Sequence, residues 1–495
     1  NLPEHAPEKW QRFKEYCVRD VDAEREIRAK LRSYPIPAKE QELYRLDQEI
    51  NDRGIRVDPV LVAHAIECDK QYREKTTKRA YELTGLANPN SPAQLKEWLE
   101  EQGTEVDTLD KKAVRALLPD AEGDVLEVLK LRLLMAKTSV KKYEAIRRSV
   151  CADGRVHGLL QFYGANRTGR WAGRLVQIQN LPQNHIPDLA LARDLVKAGR
   201  YADIEALYES TPNVLSELIR TAFVPRPGCR FIVADFSAIE ARVIAWLAGE
   251  QWRLEVFEGG GDIYCASASK MFHVPVEKHG QNSHLRQKGK IAELALGYGG
   301  AVGALTAMGA LDMGLAEEEL PPLVRQWREA NPHIIRLWAQ VENAAMTAAR
   351  EKARVRLGRL TFHCRSGMLF ITLPSGRKLC YVKPRIQTNR FGGDGLTYEG
   401  VGEGKKWTRI ETFGGKLTEN IVQATARDLL AEAMLRLRDA GFEIVMHVHD
   451  EAVLEVPIGH SGVEEVCALM AEAPAWADGL PLRADGYECR FYQKD

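Results

Sequence analysis

The sequence predicts an α+β protein in which a small antiparallel sheet is combined with long helices. The apolar run Phe231–Ala234 predicts a buried strand that ends at Asp235. A second apolar segment, residues 442–457, is interrupted by three polar residues and predicts a tight hairpin. Amphipathic periodicity over residues 38–150 predicts a region of long helices.

The predicted strands place acidic residues where they end. Asp235 follows the first strand, and His449-Asp450-Glu451 forms the turn of the hairpin. Adjacent strands lie about 4.8 Å apart. Carboxylates held at that distance can bridge two divalent cations roughly 3.5–4 Å apart, which is the geometry of two-metal phosphoryl transfer. After Asp235, the pattern predicts a helix that opens at Ser237.

A third segment predicts a helix with a functional stripe. Arg286, Lys290 and Leu294 are spaced at i, i+4 and i+8, and Tyr298 follows one step later. Two cations at one end of the stripe, with apolar and aromatic groups at the other, suit a nucleoside triphosphate whose base lies further along.

These three segments resemble the motifs of the DNA polymerase I family (family A), in a phage-like version. The first family motif reads D-Y-S-x-I-E-x-R, and residues 235–242 read DFSAIEAR. The second, R-x3-K-x3-aromatic-x3-Y-G, is matched by residues 286–299 except at Leu294. The third, H-D-E, is present at residues 449–451. The three motifs occur in the family's order.

The resemblance implies a right-hand polymerase fold with a helical thumb, an antiparallel-sheet palm and helical fingers. The expected division is an exonuclease-domain remnant at 1–37, thumb at 38–150, first part of the palm at 151–245, fingers at 246–415 and second part of the palm at 416–495. Within the fingers, the Gly-rich stretch 391–415 predicts an inserted hairpin or loop. Tyr16 and Asp20 match the last exonuclease motif, but no earlier D-x-E segment is present. We therefore expect no 3′–5′ exonuclease activity from this chain.

The activity implied by the resemblance is template-directed DNA synthesis, in which dNTPs are added to a primer 3′-OH and pyrophosphate is released. The implied cofactor is a pair of Mg²⁺ ions, with Mn²⁺ as an alternative. The metal ligands implied are Asp235, Asp450 and the backbone carbonyl near Phe236. The implied catalytic residues are Asp235, Asp450, Glu451 and Lys290.

Further residues match family positions that contact the nucleotide or the primer–template. Glu240 resembles the family's steric gate, which excludes a ribose 2′-OH, and it is expected on a polar helix face with Arg242. The nucleotide-binding set is Glu240, Arg286, Lys290, Leu294, Tyr298 and His449. The DNA-binding set is Arg170, Gln179, Asn180, Arg242 and Gln423.

Composition places few limits on function. Lys+Arg and Asp+Glu both number 69, so net charge does not indicate a nucleic-acid partner. Local basic clusters are present, such as Lys137, Lys141, Lys142, Arg147 and Arg148 on one predicted helix. Nine cysteines without C-x2-C spacing fit a reducing compartment, and no apolar stretch is long enough to span a membrane. We expect a monomer in the cytoplasm, that of a bacterial host cell if the chain is phage-encoded.

Three alternatives stay open from sequence. The glycines of residues 297–303 could form a dinucleotide-binding loop, but they end a helix instead of following a strand. A non-catalytic DNA-binding relative would not need Asp235, Asp450 and Lys290. A phage-type RNA polymerase shares the palm architecture, and Glu240 argues against it because RNA synthesis needs space for the 2′-OH.

Overall fold

The structure is a computed structural model that describes residues 3–135, 140–311, 313–389 and 391–494. The chain forms two compact units, residues 1–49 and 50–495. The first unit consists of an exposed helix, most of the next helix and a short 3-10 turn. The second unit contains every residue predicted to act in catalysis.

Helices dominate the chain up to residue 351, as expected for residues 38–150. The helices are α1 (Pro7–Leu31), α2 (Ala38–Arg53), α3 (Pro59–Thr84), α4 (Pro92–Glu101), α5 (Lys111–Leu117), α6 (Gly123–Met135), α7 (Lys141–Ser149), α8 (Leu189–Lys197), α9 (Tyr201–Leu207), α10 (Thr211–Glu217), α11 (Ile239–Ala248), α12 (Gln251–Glu258), α13 (Ile263–Phe272), α14 (Leu285–Leu296), α15 (Val302–Ala307), α16 (Leu320–Ala330), α17 (Pro332–Glu351), α18 (Gly414–Asp439) and α19 (Val463–Ala471).

The strands form four antiparallel sheets within the described residues. They are β1 (Ile55–Arg56), β2 (Arg155–Val156), β3 (Leu160–Ala165), β4 (Arg170–Gly173), β5 (Cys229–Phe236), β6 (Arg354–Leu357), β7 (Leu360–Arg365), β8 (Met368–Thr372), β9 (Lys378–Thr388), β10 (Asp394–Val401), β11 (Trp407–Thr412), β12 (Ile444–Val448), β13 (Glu451–Pro457) and β14 (Ala484–Cys489).

The predicted strand and hairpin lie in one four-stranded sheet, of order β12-β13-β5-β14. Strand β5 is central, and its apolar residues Phe231–Ala234 are almost fully buried. Helices α18 and α19 contact this sheet. Because α18 is buried around most of its circumference, it is apolar on more than one face, as a core helix is expected to be. This sheet positions the acidic turn residues.

The segment predicted as helical fingers is only partly helical. Helices α12 to α17 occupy its first part, but residues 354–412 form a six-stranded meander of order β6 to β11. The expectation of a mostly helical 246–415 is therefore wrong for this second part. Period-2 alternation in residues 354–388 buries one face against α17, which explains the strands. The Gly-rich stretch does contain a hairpin, β10–β11, as predicted.

Two helix boundaries differ from the sequence prediction. Helix α11 begins at Ile239 and not at Ser237, because Ala238 adopts the left-handed conformation with φ of 47°. Helix α14 ends at Leu296, so Tyr298 lies beyond the stripe of Arg286, Lys290 and Leu294.

Two remaining expectations concern charge and membranes. Helix α7 carries four members of the predicted basic cluster, Lys141, Lys142, Arg147 and Arg148, whereas Lys137 lies outside the described residues. None of the described helices combines the length and the apolar character needed to cross a bilayer.

Candidate active site

Strand pairing brings the predicted carboxylates together. Glu451 opens β13 and is the direct cross-strand partner of Asp235 on β5. Asp450 lies in the two-residue turn before it, and its backbone carbonyl accepts a hydrogen bond from the Phe236 N–H at 3.3 Å. His449 makes this turn possible by adopting a φ of 55°. The hairpin predicted from sequence is thus observed, with its acidic residues at the end of β5.

The carboxylates lie in an environment that disfavours negative charge. Burial raises the pKa of Asp450 to about 6, and the nearby Glu240 and Asp235 add to the effect. Burial also raises the pKa of Glu451 to about 7 and raises that of Asp235. Asp450 Oδ1 is buried and accepts no hydrogen bond from any residue that the structure describes, and Arg170 Nη2 lies 3.6 Å away. Such a site would be stabilised by additional positive charge.

Lys494 is a cation at this site that the sequence motifs did not predict. Its Nζ lies 3.4 Å from Asp235 Oδ2 and 3.7 Å from Glu451 Oε2. Two residues earlier, the buried Tyr492 hydroxyl donates to Glu451 Oε1 at 2.7 Å. No motif surrounds either residue, so only the return of the chain after β14 places them beside the carboxylates.

The raised pKa of Glu451 predicts a pH-dependent stability difference. A carboxyl whose folded-state pKa is raised from 4.5 to about 7 destabilises the fold once it ionises. This destabilisation is absent below about pH 4, grows between about pH 4 and pH 7, and has its full size above about pH 7. We expect Glu451→Gln to increase the unfolding free energy of the metal-free protein by roughly 3 kcal/mol at pH 8, and by nearly nothing at pH 4.

Chemical denaturation of both proteins in EDTA across this pH range measures the difference. Glu464→Gln is the matched control, because Glu464 is exposed in the first turn of α19. A constant difference between wild type and Glu451→Gln from pH 4 to 8 would contradict the assigned burial cost.

A cleft of about 290 Å³ opens beside Asp450. Residues from all three sequence motifs line it, including Glu240, Leu294, Tyr298 and Asp450. The Leu294 side chain is 51 % exposed and lines this cleft. The motifs, separated by up to some two hundred residues in sequence, therefore converge on one concave surface.

Glu240 is held in this cleft by two hydrogen bonds. The Tyr298 hydroxyl donates to Glu240 Oε2 at 2.8 Å, and Arg170 Nη2 donates to Oε1 at 2.8 Å. Arg170, expected among the DNA contacts, therefore lies between Glu240 and Asp450 in this structure. Gly415 allows α18 to approach Tyr298, since a Cβ there would lie 2.2 Å from the Tyr298 carbonyl oxygen.

The two cations of the α14 stripe, Arg286 and Lys290, differ in whether they form an ion pair. Arg286 forms an ion pair with Asp262, with Nη2 and Oδ2 2.7 Å apart. Lys290 is exposed, and no carboxylate among the described residues forms an ion pair with it. An anionic ligand could bind Lys290 directly, whereas Arg286 would first have to break its ion pair with Asp262.

The predicted DNA contacts divide into exposed and structural residues. Asn180 is exposed, and Gln423 is half-buried on α18, 3.5 Å from Glu419. Gln179 supports the hairpin instead, because its amide oxygen accepts from the His449 N–H at 2.8 Å. His449 Nε2 also lies 3.0 Å from the Gln179 carbonyl oxygen.

The expectation of Arg242 on a polar helix face is wrong. Its side chain is buried, and its guanidinium donates to the backbone carbonyls of Ser237 and Pro481 at 2.6 and 2.8 Å. The same group lies over the Phe257 ring. Sequence could not distinguish this arrangement from an exposed cation, because Arg has the same intrinsic preference for helices in either environment.

A buried cluster beneath the hairpin was also missed. His447 on β12 packs edge-to-face on Trp171, with ring centroids 4.7 Å apart, and Arg427 lies 4.8 Å from the same Trp ring. Burial, together with the charge of Arg427, lowers the pKa of His447 to about 3. His447 is thus neutral and acts in packing.

The acidic residues fit a magnesium site that is completed by other oxygens. Across the described ranges, no group of three His, Cys, Asp or Glu side chains is arranged to hold a metal ion without further ligands. Asp235 and Asp450 nevertheless supply carboxylate oxygens, and Asp450 Oδ1 has no hydrogen-bond partner within the described part of the chain. Mg²⁺ takes one or two carboxylates together with water and phosphate oxygens, so this donor set suits it.

Comparison with known proteins decides the family. The family model of DNA polymerase family A matches residues 62–359. The DNA polymerase of Bacillus phage SP02 is 58% identical over 498 residues, covering 100% of this chain and 77% of that protein. This chain belongs to DNA polymerase family A. The prediction of a DNA-directed DNA polymerase is confirmed, as is the family resemblance.

More distant relatives of this family A polymerase are cellular enzymes. The thermostable DNA polymerase I of Thermus thermophilus is 28% identical over 278 residues, which cover 55% of this chain and 28% of that protein. The chain thus aligns with about a quarter of that enzyme's length. Among solved structures, the POL domain of Pol1 from M. smegmatis, in complex with DNA primer-template and dNTP, has a TM-score of 0.62 at 22% identity. That match covers 91% of this chain and 72% of that one, and confirms the α+β polymerase fold.

Proposed function

We propose that this polymerase extends a primer 3′-OH at the carboxylates Asp235 and Asp450, with the incoming dNTP in the adjoining cleft. The observation that carries the proposal is the convergence of Asp450, Glu240, Leu294 and Tyr298 around one cleft. The expected division into thumb, palm and fingers stays a proposal. Its palm would contain the β12-β13-β5-β14 sheet, and its fingers would contain α14.

Asp235, Asp450 and the Phe236 carbonyl would hold two Mg²⁺ ions, which Mn²⁺ could replace. When bound, such ions lower the pKa of the attacking hydroxyl and neutralise charge on the leaving pyrophosphate. Glu451 lies beside Asp235 on the neighbouring strand and accepts a hydrogen bond from the Tyr492 hydroxyl, so we assign it an orienting role. Lys494 pairs with Asp235 and balances its charge while that carboxylate carries no other cation.

The protein side chains would bind and orient the triphosphate. Lys290 is exposed and therefore available to the phosphates, and it would donate a proton to the leaving pyrophosphate. Arg286 would join it after exchanging Asp262 for phosphate oxygens. Tyr298 would support the templating base pair, and its hydroxyl, which donates to Glu240, would hold that carboxylate against the sugar.

Primer–template DNA would contact Asn180, Gln423 and His449, and Arg170 would join these contacts through guanidinium N–H groups other than the one bonded to Glu240. Amide and guanidinium groups suit phosphates and minor-groove acceptors. The phage relative favours action in the cytoplasm of a bacterial host cell, and action as a monomer stays a prediction. The absence of 3′–5′ exonuclease activity stays a prediction.

A primer-extension assay with a labelled primer, Mg²⁺ and four dNTPs tests the proposed function. We expect extension to the template end that stops when EDTA is added. Parallel reactions with four rNTPs should give little product, because Glu240 would act as a steric gate against the ribose 2′-OH. Equal extension with rNTPs would favour RNA synthesis instead.

Leu294 predicts how the enzyme treats dideoxynucleotides. The family motif has an aromatic residue at this position, and a Tyr hydroxyl there would be able to replace the 3′-OH that a dideoxynucleotide lacks. Leu294 is exposed in the cleft and offers no hydroxyl to replace the missing 3′-OH. We expect Leu294→Tyr to raise the ddNTP/dNTP ratio of kcat/KM by roughly tenfold or more, which is about 1.4 kcal/mol.

Single-nucleotide incorporation with ddNTP and dNTP measures this ratio. Leu294→Phe is the matched control, because it adds the ring without the hydroxyl and should leave the ratio within a few-fold of wild type. The same ratio in Leu294→Tyr as in wild type would mean that this side chain does not face the nucleotide sugar.

A further inference from the structure

The six-stranded sheet has one face that no sequence motif and no part of the proposed catalytic site explains. In an antiparallel sheet, directly paired residues point to the same face. The register β6–β7–β8–β9 therefore places three rows of residues side by side on one face. The rows are Arg354–His363–Phe370–Cys380, Arg356–Thr361–Thr372–Lys378 and Arg365–Met368–Val382.

The opposite face is the core face. It consists of apolar residues that are almost fully buried, among them Phe362, Leu369, Ile371 and Tyr381. The four strands contact α17, which covers that side. The three rows consequently point away from α17, and the four cations in them are exposed.

The charge of this segment is strongly one-sided. Residues 354–388 contain eight Lys or Arg and no Asp or Glu, although the whole chain has 69 of each sign. Through all the residues that the structure describes, no carboxylate forms an ion pair with Arg354, Arg365 or Lys378. Unpaired like charges at this density repel one another, so the face is suited to a polyanion.

The centre of the face is aromatic. His363 and Phe370 are stacked, with ring centroids 5.2 Å apart and planes at 25°. His363 is half-buried, and its Nδ1 is buried without a hydrogen-bond partner among the described residues. Burial lowers the pKa of His363, and Lys378, Arg354 and Arg365 lower it further, so all three cations act on this ring.

We propose that this basic sheet face, formed by Arg354, Arg356, His363, Arg365, Phe370 and Lys378, binds the unpaired template strand. Cations around an aromatic stack are the pattern of single-strand binding surfaces, where phosphates meet the cations and bases stack on rings. A duplex keeps its bases inside and would leave the aromatic centre unused. The identity of the strand rests on the proposed function, because a primed template always carries an unpaired strand.

Neutralising the cations of the basic sheet face tests whether they bind the phosphates of the template strand. The test variant combines four substitutions on the basic sheet face: Arg354→Gln, Arg356→Gln, Arg365→Gln and Lys378→Gln. The control variant removes the same number of cations from the exposed helix α1: Lys14→Gln, Arg19→Gln, Arg28→Gln and Lys30→Gln. Fluorescence anisotropy would measure the Kd for primer–templates with unpaired template overhangs of about two and about 20 nucleotides. We expect about tenfold weaker binding to the long overhang only, and a slope of log K against log salt that is smaller by about 3.

Phe370→Ala tests the stacking part, with Phe370→Tyr as its matched control. Loss of one stacking ring should weaken binding to the long overhang by roughly tenfold without changing the salt slope. Phe370→Tyr should bind as wild type does. Circular dichroism melting of each variant shows whether the sheet is intact, and the affinity for the short overhang provides a second check on the fold.

Three outcomes would overturn the proposal. The first is unchanged affinity for the long overhang in the fourfold variant. The second is an equal loss for both overhangs in a folded variant, because the face would then bind duplex. The third is a loss of affinity that appears only with an additional substrate, a fork that carries a displaced strand, and not with the long overhang. Single-nucleotide extension by wild type on the short overhang separates the two proposals, because its failure would sink the polymerase site and leave the binding result standing.

Discussion

Asp235→Asn and Asp450→Asn should each reduce primer extension by on the order of 10³-fold or more, which in practice means no detectable product. Asparagine preserves the size and one oxygen of the side chain but removes its negative charge. The two aspartates lie at the end of β5 and in the β12–β13 turn, linked by the Phe236–Asp450 backbone hydrogen bond. Loss of either charge would remove half of the charged ligand set for Mg²⁺.

Binding and stability measurements separate this loss from misfolding. Primer–template affinity should stay within about tenfold of wild type, because most phosphate contacts lie elsewhere. In metal-free buffer near pH 8, Asp450→Asn should be no less stable than wild type, since burial raises the pKa of Asp450 to about 6. Weaker folding together with lost extension would leave the metal-site assignment without support.

Asp485→Asn is the matched control for the aspartates. Asp485 on β14 is the other cross-strand partner of Asp235, but its side chain is exposed and pairs with Arg483 at 2.8 Å. We expect this variant to retain extension within a few-fold of wild type. Retained extension in Asp235→Asn or Asp450→Asn would sink the two-metal assignment.

Glu240→Ala should increase the rNTP/dNTP ratio of kcat/KM by roughly 100-fold, which is about 2.7 kcal/mol. The carboxylate is fixed by Tyr298 and Arg170 through two hydrogen bonds of 2.8 Å. A side chain held so firmly cannot move aside for a ribose 2′-OH without losing both bonds. Its removal would open space for that hydroxyl.

The same change should also lower the rate with dNTPs. Without Glu240, the half-buried guanidinium of Arg170 keeps, among the carboxylates that the structure describes, the more distant Asp450 at 3.6 Å. Tyr298→Phe is the matched control, because it removes one hydrogen bond and leaves the carboxylate in place. We expect a smaller gain in rNTP use from Tyr298→Phe. Single-nucleotide incorporation assays measure both ratios, and no change in Glu240→Ala would mean that Glu240 does not face the sugar.

Much of the fold could be predicted wherever the hydrophobic pattern of a segment agrees with its final environment. The run Phe231–Ala234 is apolar because β5 is central in its sheet, and the polar turn at 449–450 falls between two buried strands. The sheet at residues 354–412 was missed because the family resemblance implied helical fingers there. Its period-2 pattern was present in the sequence.

The chemistry of the candidate site was determined by the residues themselves, because a metal site needs carboxylates, a triphosphate needs cations, and each type stands in a motif of fixed spacing. Tertiary structure alone decided which charges meet. It buried Arg242 against backbone carbonyls, turned Arg170 toward Glu240 and brought Lys494 to Asp235. Local sequence could not reveal these contacts, since an arginine or lysine has similar local preferences whether it meets solvent, DNA or a buried carboxylate, and its partner lies tens to hundreds of residues away.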